Sequence, residues 1–129
     1  MILLLDTSTP TCRLTIASAD GKLHQAEWQA DRKLALGLHE FVRSELASVG
    51  AEWHDLTGLG VYRGPGSYTG LRIGLTVMNT LASSLGVPIL GGEGNDWKDQ
   101  VLTGLADGAN DKIVLPEYGG TANITRPRK

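Results

Sequence analysis

A chain of 129 residues with 41% apolar and 20% charged side chains suits one domain that buries roughly two-thirds of its surface, and is too short for two domains around a deep cleft. Twelve basic and fourteen acidic residues give a net charge of −2, which argues against a stand-alone grip on nucleic acid, because that normally needs a basic surface. One cysteine, Cys12, excludes an internal disulfide and gives no sign of secretion.

The opening Met1-Ile2-Leu3-Leu4-Leu5 reaches Asp6 too early for a secretory signal, and no apolar run approaches the length of a membrane span. The expected location is the cytoplasm, with no membrane contact. Ile2 to Leu5 is a continuous apolar run, as in a central strand covered on both faces. Arg13 to Ala17 alternates, Asp20-Gly21 is a strong hairpin signal, and Leu23 to Gln29 continues the meander.

From Leu34 the period lengthens: Leu34, Leu38, Phe41, Val42, Leu46 and Val49 share one helical face, and Gly50 supplies the stop. Thr57 to Tyr62 is a fourth strand. The stretch Gly64-Pro65-Gly66-Ser67-Tyr68-Thr69-Gly70-Leu71-Arg72-Ile73-Gly74 then closes that strand and opens a helix over 69–86. Pro65 and the flanking glycines shape a tight turn, with Ser67 or Thr69 as the helix N-cap. Such a turn is either a strand-to-helix connection or, with the helix N-terminus behind it, an anion site.

The helix carries two apolar stripes. Leu71, Leu75, Met78, Ala82 and Leu85 make one, which a sheet can cover. Ile73, Val77 and Leu81, with Gly70 and Gly74 beside them, make a second, which needs a neighbouring helix or another protein. Val87 to Leu90 is a short fifth strand. The expected fold is therefore α/β, in the order β-β-β-α-β-α-β, with a mixed five-stranded sheet and both helices on one face. Beyond it, Asn95 or Asp96 caps a third helix through Trp97, Val101, Leu102 and Leu105. Lys112 to Tyr118 reads as an edge strand because of Pro116, and Gly119 to Lys129 as a mobile tail.

Chemistry is sparse. Asp6 stands at the carboxyl end of the central strand, where α/β sheets place ligands, and with Thr7 and Ser8 it is a candidate remnant of a nucleotide site. The phosphate-approach glycine that actin-like ATPases place after such an aspartate does not appear before Gly21. His24, His39 and His54 are fifteen residues apart, which is not a metal-ligand spacing, and Ser67 lacks the Gly-x-Ser-x-Gly elbow of hydrolases.

Leu3 to Thr9, the Asp20-Gly21 hairpin, the Gly64 to Gly74 run and Leu81-Ala82 before Pro88 together resemble the N-terminal domain of the bacterial TsaB (YeaZ) family. The resemblance implies an actin-like, ribonuclease H-like (ASKHA) domain over residues 1–92, with 93–129 as a shortened second lobe. It implies a role in making threonylcarbamoyladenosine at adenosine 37 of tRNA, as a non-catalytic subunit that binds a TsaD-like catalytic partner. ATP and metal are then expected on the partner subunits and no cofactor on this chain alone. A TsaE-like ATPase joins the pair, tRNA is reached only through the complex, and a homodimer forms in isolation. Because pairing in the family uses the two helices, the implied partner face comprises Leu38, Val42, Gly70, Ile73, Gly74, Val77 and Leu81. Other readings are a glycoprotease-like or ATP-dependent enzyme working through Asp6, or a stand-alone homodimeric domain.

Overall fold

The structure is a computed structural model in which residues 1–117 are described. Its centre is β1 (Ile2–Asp6), whose Leu3, Leu4 and Leu5 are all buried because both faces of the sheet are covered. It pairs antiparallel with β2 (Thr11–Ala17), which turns through the Asp20-Gly21 hairpin into β3 (Leu23–Gln29). Gly21 has φ +87° there, and Asp20 Oδ1 accepts the Lys22 N–H at 3.1 Å, so the turn forms where the sequence places it.

The chain then crosses over through α1 (Leu34–Ser48) to β4 (Gly58–Gly64), parallel to β1, and through α2 (Tyr68–Leu85) to β5 (Ile89–Glu93), parallel to β4. The sheet order is β3-β2-β1-β4-β5, the mixed five-stranded sheet expected from the pattern. Gly50 at φ +74° follows the end of α1 and Gly86 at φ +70° caps α2, both using the left-handed conformation that glycine adopts without strain.

The alternation of β1 divides the core in two. Leu3 and Leu5 meet Leu34, Leu38, Val42 and Leu46 of α1 and Leu71, Leu75 and Met78 of α2. Leu4 belongs to a separate cluster with Trp97 and Val101 of α3 (Trp97–Ala106). Gly60 of β4 faces that side too, where a Cβ would run into Leu4 and Val101. Helices thus cover both faces of the sheet, α1 and α2 on one and α3 on the other.

Residues 112–117 form no strand, contrary to the edge strand expected over Lys112 to Tyr118. The Val114 N–H and carbonyl both go to the Asn79 side chain of α2, at 2.8 and 3.0 Å, and Pro116 has no donor to give. A side chain, not a neighbouring strand, takes those backbone groups. Tyr118 and the expected tail over Gly119 to Lys129 lie outside the described residues.

Candidate functional site

Asp6 ends β1 as expected, but the loop after it is turned inward. Asp6 Oδ1 accepts the Ser8 N–H at 2.8 Å, and the Ser8 carbonyl accepts the Ser67 N–H at 3.0 Å. Gly66 lies so near Ser8 that a Cβ there would meet the Ser8 Cβ at 2.6 Å. Thr7 is buried, and its hydroxyl donates to the Gly70 carbonyl at 2.7 Å. The β1 loop and the Gly64-Pro65-Gly66-Ser67 turn are therefore locked together. The Ser8 N–H, which a phosphate-binding loop would aim at a ligand, is held by the Asp6 carboxylate instead.

Gly64 has φ +129°, and a Cβ on it would overlap the Glu117 carbonyl; only glycine meets both demands. The N-cap of α2 is Ser67, whose hydroxyl accepts from the Gly70 N–H at 3.4 Å, while Thr69 is exposed.

The second stripe of α2 lies along the seam with α1. Ile73, Val77 and Leu81 are half-buried and pack against the larger core. The seam holds two adjoining grooves, of about 330 Å³ beside Ala35, Arg72 and Ile73 and about 350 Å³ beside His39, Trp53 and Leu81, with Thr76 and Val77 lining both. The His39 ring lies 4.9 Å from that of Trp53 at one end. This is a furrow with an apolar floor and a mixed rim.

Three of the seven residues expected on the partner face, Leu38, Val42 and Gly74, are buried. Leu38 is fully buried under α1, and Val42, 1% exposed, contributes only to the floor of the groove. A Cβ on either helix glycine would point at the β1 loop: on Gly70 it would overlap the Thr7 carbonyl oxygen, and on Gly74 the Thr7 hydroxyl. They are small so that α2 can approach the end of β1. Gly70, Ile73, Val77 and Leu81 retain accessible surface.

Sequence reasoning missed Thr7 as a buried clasp, Asn79 as the anchor of residues 112–117, and Gly37, where a Cβ would press on Trp28 at 2.7 Å. Asn79 had a signal, being a polar residue between the apolar positions Met78 and Leu81. Thr7 had none.

Burial, reinforced by the negative charge of Asp6, pushes the Cys12 thiol up to about 12, which excludes a thiolate nucleophile at neutral pH. Burial likewise raises the Tyr62 phenol, with Asp6 and Glu93 adding to it, and its hydroxyl donates to the Pro65 carbonyl at 2.7 Å. Among the described residues no three His, Cys, Asp or Glu side chains stand together to hold a metal, and no helix is long and apolar enough to cross a membrane.

Residues 28–92, from β3 to β5, match the family described as TsaD, tRNA N6-adenosine threonylcarbamoyltransferase. The chain is 35% identical over 88 residues to the tRNA threonylcarbamoyladenosine biosynthesis protein TsaB of Bacillus subtilis (strain 168), covering 68% of this chain and 38% of that protein. It is 31% identical over 90 residues to the protein of the same name from Escherichia coli (strain K12), covering 70% and 38%. The solved structure of YeaZ from Pseudomonas aeruginosa superposes with a TM-score of 0.67 at 32% identity, over 71% of this chain and 43% of that one. The match thus spans under two-fifths of the curated relatives' length. On these likenesses, and on a fold that fits an actin-like domain, the chain belongs to the TsaB (YeaZ) family.

Proposed function

We propose that this chain is a non-catalytic subunit in tRNA threonylcarbamoyladenosine synthesis, which binds and stabilises a TsaD-like catalytic subunit through the α1–α2 seam. The observation that carries the reading is the half-buried stripe of Ile73, Val77 and Leu81 along the seam grooves. Apolar side chains in a furrow gain from a complementary surface that removes them from water, at about 25 cal/mol for each Å². The names of the relatives supply the pathway. The TsaD match over residues 28–92 includes both seam helices, so a TsaD-like partner offers a helix pair of the same kind.

The closed Asp6 loop supports the non-catalytic part. With the Ser8 N–H held by Asp6 and the Ser8 carbonyl by Ser67, ATP and metal belong on the partner, and tRNA is met by the assembly. The test is size-exclusion chromatography with light scattering, on the chain alone and mixed with the TsaD-like protein of the same organism. A one-to-one complex that displaces any homodimer supports the reading. A mixture that elutes as its separate components contradicts it.

A further inference from the structure

The α1–α2 seam extends beyond its two grooves. A cavity of about 670 Å³ lined by Arg32 and Lys33 continues it, since Thr69 and Ile73 line both that cavity and the groove beside Ala35 and Arg72. The three hollows form one furrow along α2, from its first turn to Ser84.

Charge is confined to one end of this furrow. Past Arg72 the far groove is walled by Thr76, Val77, Thr80, Leu81 and Ser84, and among the described residues no Lys, Arg, Asp or Glu lines it. At the near end stand Arg32, Lys33 and Arg72, all exposed. Arg13, Arg43 and Arg63 each meet a carboxylate, that of Glu27, Glu40 and Glu93 in turn. Among the described residues Arg32, Lys33 and Arg72 have no such ion pair. The Arg72 guanidinium lies 5.3 Å from the centre of the Tyr68 ring and donates to its hydroxyl at 3.3 Å, contacts that hold it beside the groove without cancelling its charge. The carboxylate lining this end, that of Asp31, accepts from the Gln29 amide at 2.9 Å. Three cations thus stand against one anion.

We propose that the protein seated on the seam presents an acidic patch to Arg32, Lys33 and Arg72, and that this attraction speeds its association. The inference rests on the seam being where the partner binds. A surface covering the furrow takes water from these cations, which is tolerated when carboxylates replace the water and penalised when they do not. A ribose-phosphate backbone has the same charge as an acidic patch. However, the apolar Leu34 and Ile73 line the same cavity as the cations, and the net charge of −2 is unlike that of an RNA-binding surface. A protein is the better match.

The experiment follows association with the TsaD-like subunit of the same organism by stopped flow, at about 20 mM and about 500 mM salt, between which exposed charges become screened. It compares the full chain, Lys33→Gln/Arg72→Gln, Val77→Asp, and the control Lys22→Gln/Lys98→Gln. The control removes the same charge from the β2–β3 hairpin and from α3, away from the furrow. At low salt Lys33→Gln/Arg72→Gln should associate about tenfold more slowly than the parent, with little further loss at high salt, while the control follows the parent. A rate unchanged or raised in Lys33→Gln/Arg72→Gln, with binding still lost in Val77→Asp, overturns this inference and leaves the seam reading standing. Equal slowing in the control reduces the effect to net charge and also overturns it. So does an unchanged rate accompanied by weaker retention of tRNA on the assembled complex, which assigns the cations to RNA. Binding that survives Val77→Asp, or no complex at all, overturns the seam reading and this inference with it.

Discussion

The Thr7 hydroxyl donates to the Gly70 carbonyl, while the Thr7 carbonyl lies where a Cβ on Gly70 would stand. Helix propensity alone favours alanine over glycine by about 1 kcal/mol. Here the Thr7 carbonyl oxygen blocks the space at Gly70 and the buried Thr7 side chain blocks it at Gly74, and overpacking of that kind costs about 1–3 kcal/mol. Gly70→Ala and Gly74→Ala should therefore each destabilise the isolated chain, by about 1–3 kcal/mol in urea unfolding. A gain in stability would return both glycines to the partner face.

Cys12 predicts a pH dependence. Its thiol ionises near 9.0 when unfolded and near 12 when folded, so above pH 9 the unfolded chain holds fewer protons than the folded one and stability falls as pH rises. The contribution is complete below about pH 9 and lost as pH approaches 12. Cys12→Ala should flatten this part of the stability curve, and native Cys12 should resist a thiol reagent at pH 8 until the chain is unfolded. Rapid native labelling would contradict the burial argument.

The closed Asp6 loop predicts that titrating Mg-ATP into the chain alone gives no saturable heat in calorimetry. Asp6→Ala should leave that result unchanged while costing about 1 kcal/mol of stability, the usual worth of one hydrogen bond such as that from the Ser8 N–H. Saturable binding that Asp6→Ala abolishes would restore the nucleotide reading.

Much of the fold was legible because period and punctuation agree. The buried leucines of β1, the Asp20-Gly21 turn, the four-residue repeat of Leu34, Leu38, Val42 and Leu46, and the glycine stops at Gly50 and Gly86 each state one preference. The partner face was less legible, because a small residue on a helix reads alike whether it admits a second protein or the chain's own loop. Gly70 and Gly74 admit Thr7, a contact between residues more than sixty positions apart in sequence. The expected last strand failed for a related reason: Val114 has a strand-like composition around it, but its hydrogen bonds go to Asn79 on a helix.

The most direct test of the central claim is calorimetric titration of the TsaD-like subunit with the parent chain and with Val77→Asp. Val77 is half-buried in the free chain, so its replacement should leave the fold intact and cost about 1 kcal/mol or less. In a complex that covers the seam the new carboxylate would be buried without a partner, a penalty of several kcal/mol. The account predicts that affinity falls at least about a hundredfold while the melting transition of the free chain changes little. Equal affinity for the two proteins would show that the α1–α2 seam is not where the partner binds.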